Sequence, residues 1–133
     1  MKAVVITRHG GPEVLRVEER SEPRPGPGEV RIEVRAAGIN FADLMARAGT
    51  YPDAPPPPCV VGYEVAGLVE SLGDGVEGLA VGDRVVAGTY FGGYAELAVA
   101  HADSVIPLPE SFSFEEGAAI PVNYATAYAG AIT

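Results

Sequence analysis

Cysteine is all but missing from this sequence. The single Cys59 rules out an intramolecular disulfide framework and every multi-cysteine zinc arrangement. That scarcity fits a reducing compartment, with the cytoplasm as the expected location. Positive charge is scarce too: nine Lys and Arg stand against eighteen Asp and Glu, a formal net charge of −9. The chain therefore has no basic footprint for nucleic acid, and acidic membrane surfaces would repel it. No apolar run is long enough for a membrane span, and the N-terminal MKAVVITRHGG is too short in apolar residues for a signal-peptide core. His9 and His101 are the only histidines, far apart and both in expected turns, which argues against a metal pair.

What is present describes a folded, strand-rich domain. Hydrophobic residues make up 47% and charged residues 20%, outside the low-hydrophobicity, high-charge range of disorder. A chain of this length buries roughly two thirds of its unfolded surface around one core. The 17 glycines and 12 prolines are spread along it, as turns between many short strands require. Residues 2–7 and 14–19 read as a hairpin joined through His9-Gly10-Gly11-Pro12. The run SEPRPGPG, 21–28, cannot join a sheet ladder and reads as a surface loop. In 30–36, apolar Val30, Ile32, Val34 and Ala36 alternate with Arg31, Glu33 and Arg35, the period of two that turns one strand face to the core.

Asn40 can cap a short helix over 41–48 that meets Gly49 where a C′ residue belongs. Asp43 is placed to pair with Arg47 at i+4 on that helix. The proline-rich 51–58 is expected to be an extended surface segment. Further strands are expected at 64–72, 84–87 and 94–100, separated by glycine turns, which suggests a barrel or sandwich. Glu64 stands inside an otherwise apolar stretch and needs a partner or ligand, for which an ion pair is the simplest expectation. Ser113 and Glu116 have capping-box spacing, and Pro121 can open another helix that is still running at Thr133, so the chain reads as cut rather than finished.

Residues 62–85, GYEVAGLVESLGDGVEGLAVGDRV, match the quinone oxidoreductase signature GxExxGxVxxxGxxVxxxxxGDRV at every fixed position. TRHGGPEVL, GINFADLMARAG and VNYATAY are also similar to this family, especially to its branch resembling the vesicle amine transport protein. The glycines identify the domain by their joint spacing and perform no chemistry themselves. The resemblance implies the medium-chain dehydrogenase/reductase superfamily. It further implies a mainly β fold with short helices: a GroES-like, partly open β-barrel over 1–120, with 121–133 starting the helix toward a Rossmann domain absent from this chain. The implied reaction is hydride transfer from NADPH, or NADH, to a quinone or α,β-unsaturated carbonyl, in a protein expected to be a homodimer.

Zinc-dependent relatives hold the metal with a cysteine, a His-Glu pair and a second cysteine. At those places this sequence has Asn40, Tyr63 before Glu64, and Val122, so the resemblance implies a zinc-independent member. The cysteines of the structural zinc lobe are missing as well, and Cys59 reads as a buried small hydrophobe. By the same resemblance Asn40 faces the nicotinamide and the acceptor carbonyl, while Asn123 and Thr126 touch the nicotinamide side of the cofactor. Tyr51 is a candidate to line the acceptor pocket by stacking and by its hydroxyl, and Tyr63, standing where the histidine ligand would be, is a candidate to face and fill the vacated metal position. No glycine-rich turn from strand to helix is read in the chain, so no tightly bound cofactor and little reductase activity are expected of it alone. A non-catalytic GroES-like binding module is the rival reading, and a zinc-dependent alcohol dehydrogenase fails on its missing ligands.

Overall fold

The structure is a computed structural model, and it describes residues 1–132. Strands β1 (Lys2–Ile6) and β2 (Leu15–Glu19) form the expected antiparallel hairpin, with a 3-10 turn at Pro12–Val14 tightening the connection. Strands β3 (Glu29–Ala37), β4 (Glu64–Leu72), β5 (Arg84–Gly88), β6 (Leu97–His101) and β7 (Val105–Pro107) make one antiparallel sheet in the order β6-β3-β4-β5-β7. Register shifts in the β3–β4 pairing, between Arg31 and Ile32 and between Val34 and Ala36, bend this sheet into a half-barrel. Helix α1 (Phe41–Ala48) packs below the hairpin, and α2 (Phe114–Ala118) and α3 (Ala125–Ile132) close the chain. The mainly β, GroES-like reading is correct.

Alternation explains the core. Val30 and Ile32 from β3, Val65 and Val69 from β4, and Val85 and Ala87 from β5 meet in one buried cluster inside the curled sheet. Gly67 permits the closest approach of β4 to β3, since a Cβ there would run into the carbonyl oxygen of Glu33. A second cluster, Ile6, Val14, Ala46 and Val61, seats the hairpin and α1 on each other.

Two expected boundaries shift. The strand expected over 94–100 is laddered only over Leu97–His101, because Tyr94 and Ala95 turn to the hairpin instead: Val4 N–H donates to the Tyr94 carbonyl at 2.8 Å. The C-terminal helix is built in pieces. The Ser113–Glu116 capping box opens α2, and a π-helical turn at Ile120–Tyr124 with Pro121 near its start leads into α3. Among the described residues, no helix is long and apolar enough to cross a membrane.

Candidate active site

The site is built where three elements converge on the head of β4. Asn40 takes the N-cap position of α1 with extended backbone, and Gly49 follows the helix at φ 85°. Asp43 closes the helix start by accepting the Asn40 backbone N–H at 2.9 Å. Asp43 does not pair with Arg47 as the i+4 spacing suggested. Its other bond comes from the Tyr94 hydroxyl at 2.6 Å, while Arg47 donates to the Gly10 carbonyl and ties α1 to the hairpin. Burial, reinforced by the Asp43 hydrogen bond, pushes the Tyr94 phenol pKa well above its usual value.

Glu64 is the centre of the arrangement. It is 0% exposed, yet no cationic side chain is among its hydrogen-bond partners, so the expected ion pair gives way to neutral donors. Its Oε1 accepts from Asn40 Nδ2 at 3.0 Å and from Asn123 Nδ2 at 2.9 Å, and its Oε2 accepts from Val122 N–H at 2.7 Å. These bonds offset the cost of removing a carboxylate from water. The space exists because Gly38 has no side chain: a Cβ there would fall 2.6 Å from Glu64 Cδ. Asn40, 8% exposed, thus shares one oxygen with Asn123 of the π-helical turn.

Beside Glu64, Tyr63 begins an aromatic wall. Its ring meets Tyr51 (centroids 6.1 Å apart), Tyr90 (6.4 Å) and Phe91 (5.2 Å), mostly edge to face. The Tyr63 hydroxyl is buried and has no hydrogen-bond partner among the described residues. Burial, followed by the neighbouring Tyr51 phenol, pushes its pKa well above the usual tyrosine range. Tyr90 and Phe91 were not singled out from the sequence. Their only signal was an aromatic pair between a strand and the Gly92-Gly93 turn. Tyr90 holds φ 66°, the described non-glycine residue in the left-handed region, and the residue is 67% exposed.

The structure therefore brings Asn40 and Asn123 together through Glu64, and Tyr51 and Tyr63 together through ring contact. Thr126 lies exposed on α3, three residues from Asn123, outside the Glu64 cluster. None of these five lines the groove of about 400 Å³ between the hairpin and α1, whose wall includes Val4, Ile6, Leu15, Leu44 and Val61.

The groups turned toward Glu64 are N–H donors, which cannot ligate a cation. Among the described residues no three His, Cys, Asp or Glu side chains stand close enough to hold a metal ion. Cys59 is half-buried, and burial raises its thiol pKa. Gly73-Asp74-Gly75-Val76-Glu77-Gly78 has dinucleotide-fingerprint spacing, but it joins β4 to β5 and opens no helix, so it offers no helix N-terminus to a pyrophosphate.

The alcohol dehydrogenase GroES-like domain profile matches residues 26–110. The chain belongs to that family. Over 128 residues it is 43% identical to the synaptic vesicle membrane protein VAT-1 homolog-like of Mus musculus, covering 96% of this chain and 31% of that protein. The crystal structure of the human VAT-1 homolog-like protein superposes with a TM-score of 0.95 at 42% identity, over 98% of this chain and 42% of that one. Escherichia coli quinone oxidoreductase complexed with NADPH gives a TM-score of 0.89 at 38% identity, over 96% and 39%. These relatives bear out the resemblance to the quinone oxidoreductases of the medium-chain dehydrogenase/reductase superfamily. The chain spans about a third of the length of the first curated relative, 31%.

Proposed function

We propose that this domain forms the acceptor side of a zinc-independent, NADPH-dependent reductase of quinones or α,β-unsaturated carbonyls. The observation that carries this reading is the buried Asn40 amide, held by Glu64 on the same oxygen as Asn123. One hydrogen of Asn40 Nδ2 is committed to Glu64, and the second is free to donate to an acceptor carbonyl as charge develops on its oxygen. Such an amide needs no reorganisation, because its orientation is fixed before the acceptor arrives. Tyr63 and Tyr51, packed edge to face, supply an aromatic wall next to Glu64. A nicotinamide cofactor, when bound, supplies the hydride. Asn40, Asn123 and Thr126 would hold its nicotinamide end.

The reading requires a dinucleotide-binding half in addition to residues 1–133, and assigns the whole protein to the cytoplasm as a homodimer. Support comes from the likeness to Escherichia coli quinone oxidoreductase, which was solved with NADPH. The test uses a protein carrying this domain joined to such a half, assayed for NADPH oxidation with a quinone, a cyclic enone and a primary alcohol. Turnover of the first two, unchanged by a zinc chelator, is expected. Chelator-sensitive alcohol oxidation would sink the reading. Residues 1–133 alone are expected to show little or no NADPH turnover, and measurable turnover would show that the second half is dispensable.

A further inference from the structure

We propose that Glu64 is a positioning residue that couples the Asn40 amide to the entry of the C-terminal helix, so that the two sides of the site move as one unit. The geometry is specific. Both oxygens of one carboxylate are engaged, and they reach α1 through Asn40 and the π-helical turn through Val122 and Asn123. Glu64 itself cannot drift: its backbone pairs with Gly88 in the β4–β5 ladder, and its carbonyl accepts the Gly38 N–H at 3.0 Å. The strand is thus the fixed point, and α1 and the terminal helix are both referred to it.

The π-helical turn explains why an external anion is needed. The turn follows α2 after the single residue Ala119, and its wider winding together with Pro121, which has no N–H, breaks the regular i→i−4 ladder there. The Val122 N–H points instead to Glu64 Oε2 at 2.7 Å, a charge-assisted bond that sets where the segment begins. Such a turn is a local departure from the regular helix, and departures of this kind recur at functional positions. Asn123 adds the second tie from the same turn, to the oxygen that orients Asn40. Neutral donors make this anchor directional. A salt bridge would attract from many angles, whereas three N–H groups fix the carboxylate plane.

The functional consequence rests on the proposed reductase reading, in which Asn40 serves the acceptor and Asn123 the cofactor. Under it, one carboxylate aligns the two reactants, and loss of Glu64 harms both sides at once.

The experiment is nuclear magnetic resonance on the 133-residue chain labelled with nitrogen-15. Glu64→Gln should move the side-chain amide signals of both Asn40 and Asn123. It should also speed hydrogen exchange at the Val122 amide by about ten-fold, the effect of one lost charge-assisted bond. Asn123→Ala, at an exposed position that leaves the fold intact, should move the Asn40 amide signal through the shared oxygen. Gly38→Ala, which displaces the carboxylate without removing it, should reproduce the Glu64→Gln pattern. Glu70→Gln, which disturbs the half-buried Arg31–Glu70 pair elsewhere on the same strand, should move none of these signals. Unmoved Asn40 signals in Asn123→Ala, or equal movement in Glu70→Gln, would overturn the coupling. In a protein carrying the cofactor-binding half, Glu64→Gln should raise KM for acceptor and for NADPH together. Moved amide signals with unchanged kinetics would support the coupling and sink the reductase reading.

Discussion

Glu64 and Val65 are consecutive residues of β4, both 0% exposed, and the fold holds them in opposite ways. Strand periodicity turns Val65 into the half-barrel, where it joins Val30, Ile32, Val69 and Val85. That contact is non-directional, and any side chain of similar shape would serve. Glu64 faces the other way, toward the start of α1 and the π-helical turn, where three N–H groups meet it from defined directions. Burial on one side of the strand gives stability. Burial on the other fixes orientation, at a desolvation cost that pure packing would avoid.

The packed side should give the largest losses when disturbed. Gly67→Ala drives a methyl into the Glu33 carbonyl of the paired strand, so β3 and β4 must part or slip. More than about 3 kcal/mol of stability should go, the upper end for overpacking. A denaturant midpoint near the parent's would show that the sheet can yield there. Val65→Ala should cost about 2 kcal/mol by lost burial and a small cavity. Its sharper use is on the comparison itself: the Asn40 and Asn123 amide signals should stay in place. If they move, the two faces of β4 are not independent.

How far the sequence discloses this difference depends on distance along the chain. The β3 alternation, the Asn40-to-Gly49 helix and the hairpin are local patterns, and each stands within a residue or two of its expected place. Three-residue β7 has too little pattern to read, and it exists because β5 offers it an edge. Glu64 was recognisable as an anomaly, but its donors sit 24, 58 and 59 residues away, so an ion pair was the natural and incorrect expectation. Asp43 misled for the same reason: the i+4 arginine was visible, while Tyr94, 51 residues on, was not. Local pattern marked Asn40 as a helix cap, but its candidacy for the site, like that of Tyr63, came from family resemblance alone. Tyr90 was not legible at all, because its place depends on a positive φ that no local motif announces.

Tyr94 lies between the two regimes, half-buried in apolar surroundings with its hydroxyl on Asp43. Tyr94→Phe should cost about 1.5 kcal/mol, the worth of a hydrogen bond to a charged acceptor. The variant also carries a pH signature. Burial first, then the Asp43 bond, raises the folded phenol above its ordinary 10.0. A raised folded value means the stabilisation is complete below the unfolded pKa and is lost as pH climbs through the folded one. Between about pH 9 and about pH 11 the parent should therefore lose more stability than Tyr94→Phe does. Denaturant midpoints with the same slope in both proteins would remove Tyr94 from the account.

The smallest stability effect belongs to Tyr90, and it separates structure from function most cleanly. Its left-handed backbone costs about 1 kcal/mol for a non-glycine residue. Its edge contacts with Tyr63 and with Phe91, 4.7 Å between centroids, return a similar amount. Tyr90→Gly relieves the first and forfeits the second, so stability should change by no more than about 0.5 kcal/mol. An exposed aromatic held in a strained backbone at no net gain has no structural reason to be there. If the wall serves planar acceptors, the same substitution should weaken binding of an aromatic quinone several-fold and leave a small aliphatic enone unaffected. A large drop in melting temperature with unchanged quinone binding would instead make Tyr90 part of the scaffold, and the aromatic wall would then belong with Val65 rather than with Glu64.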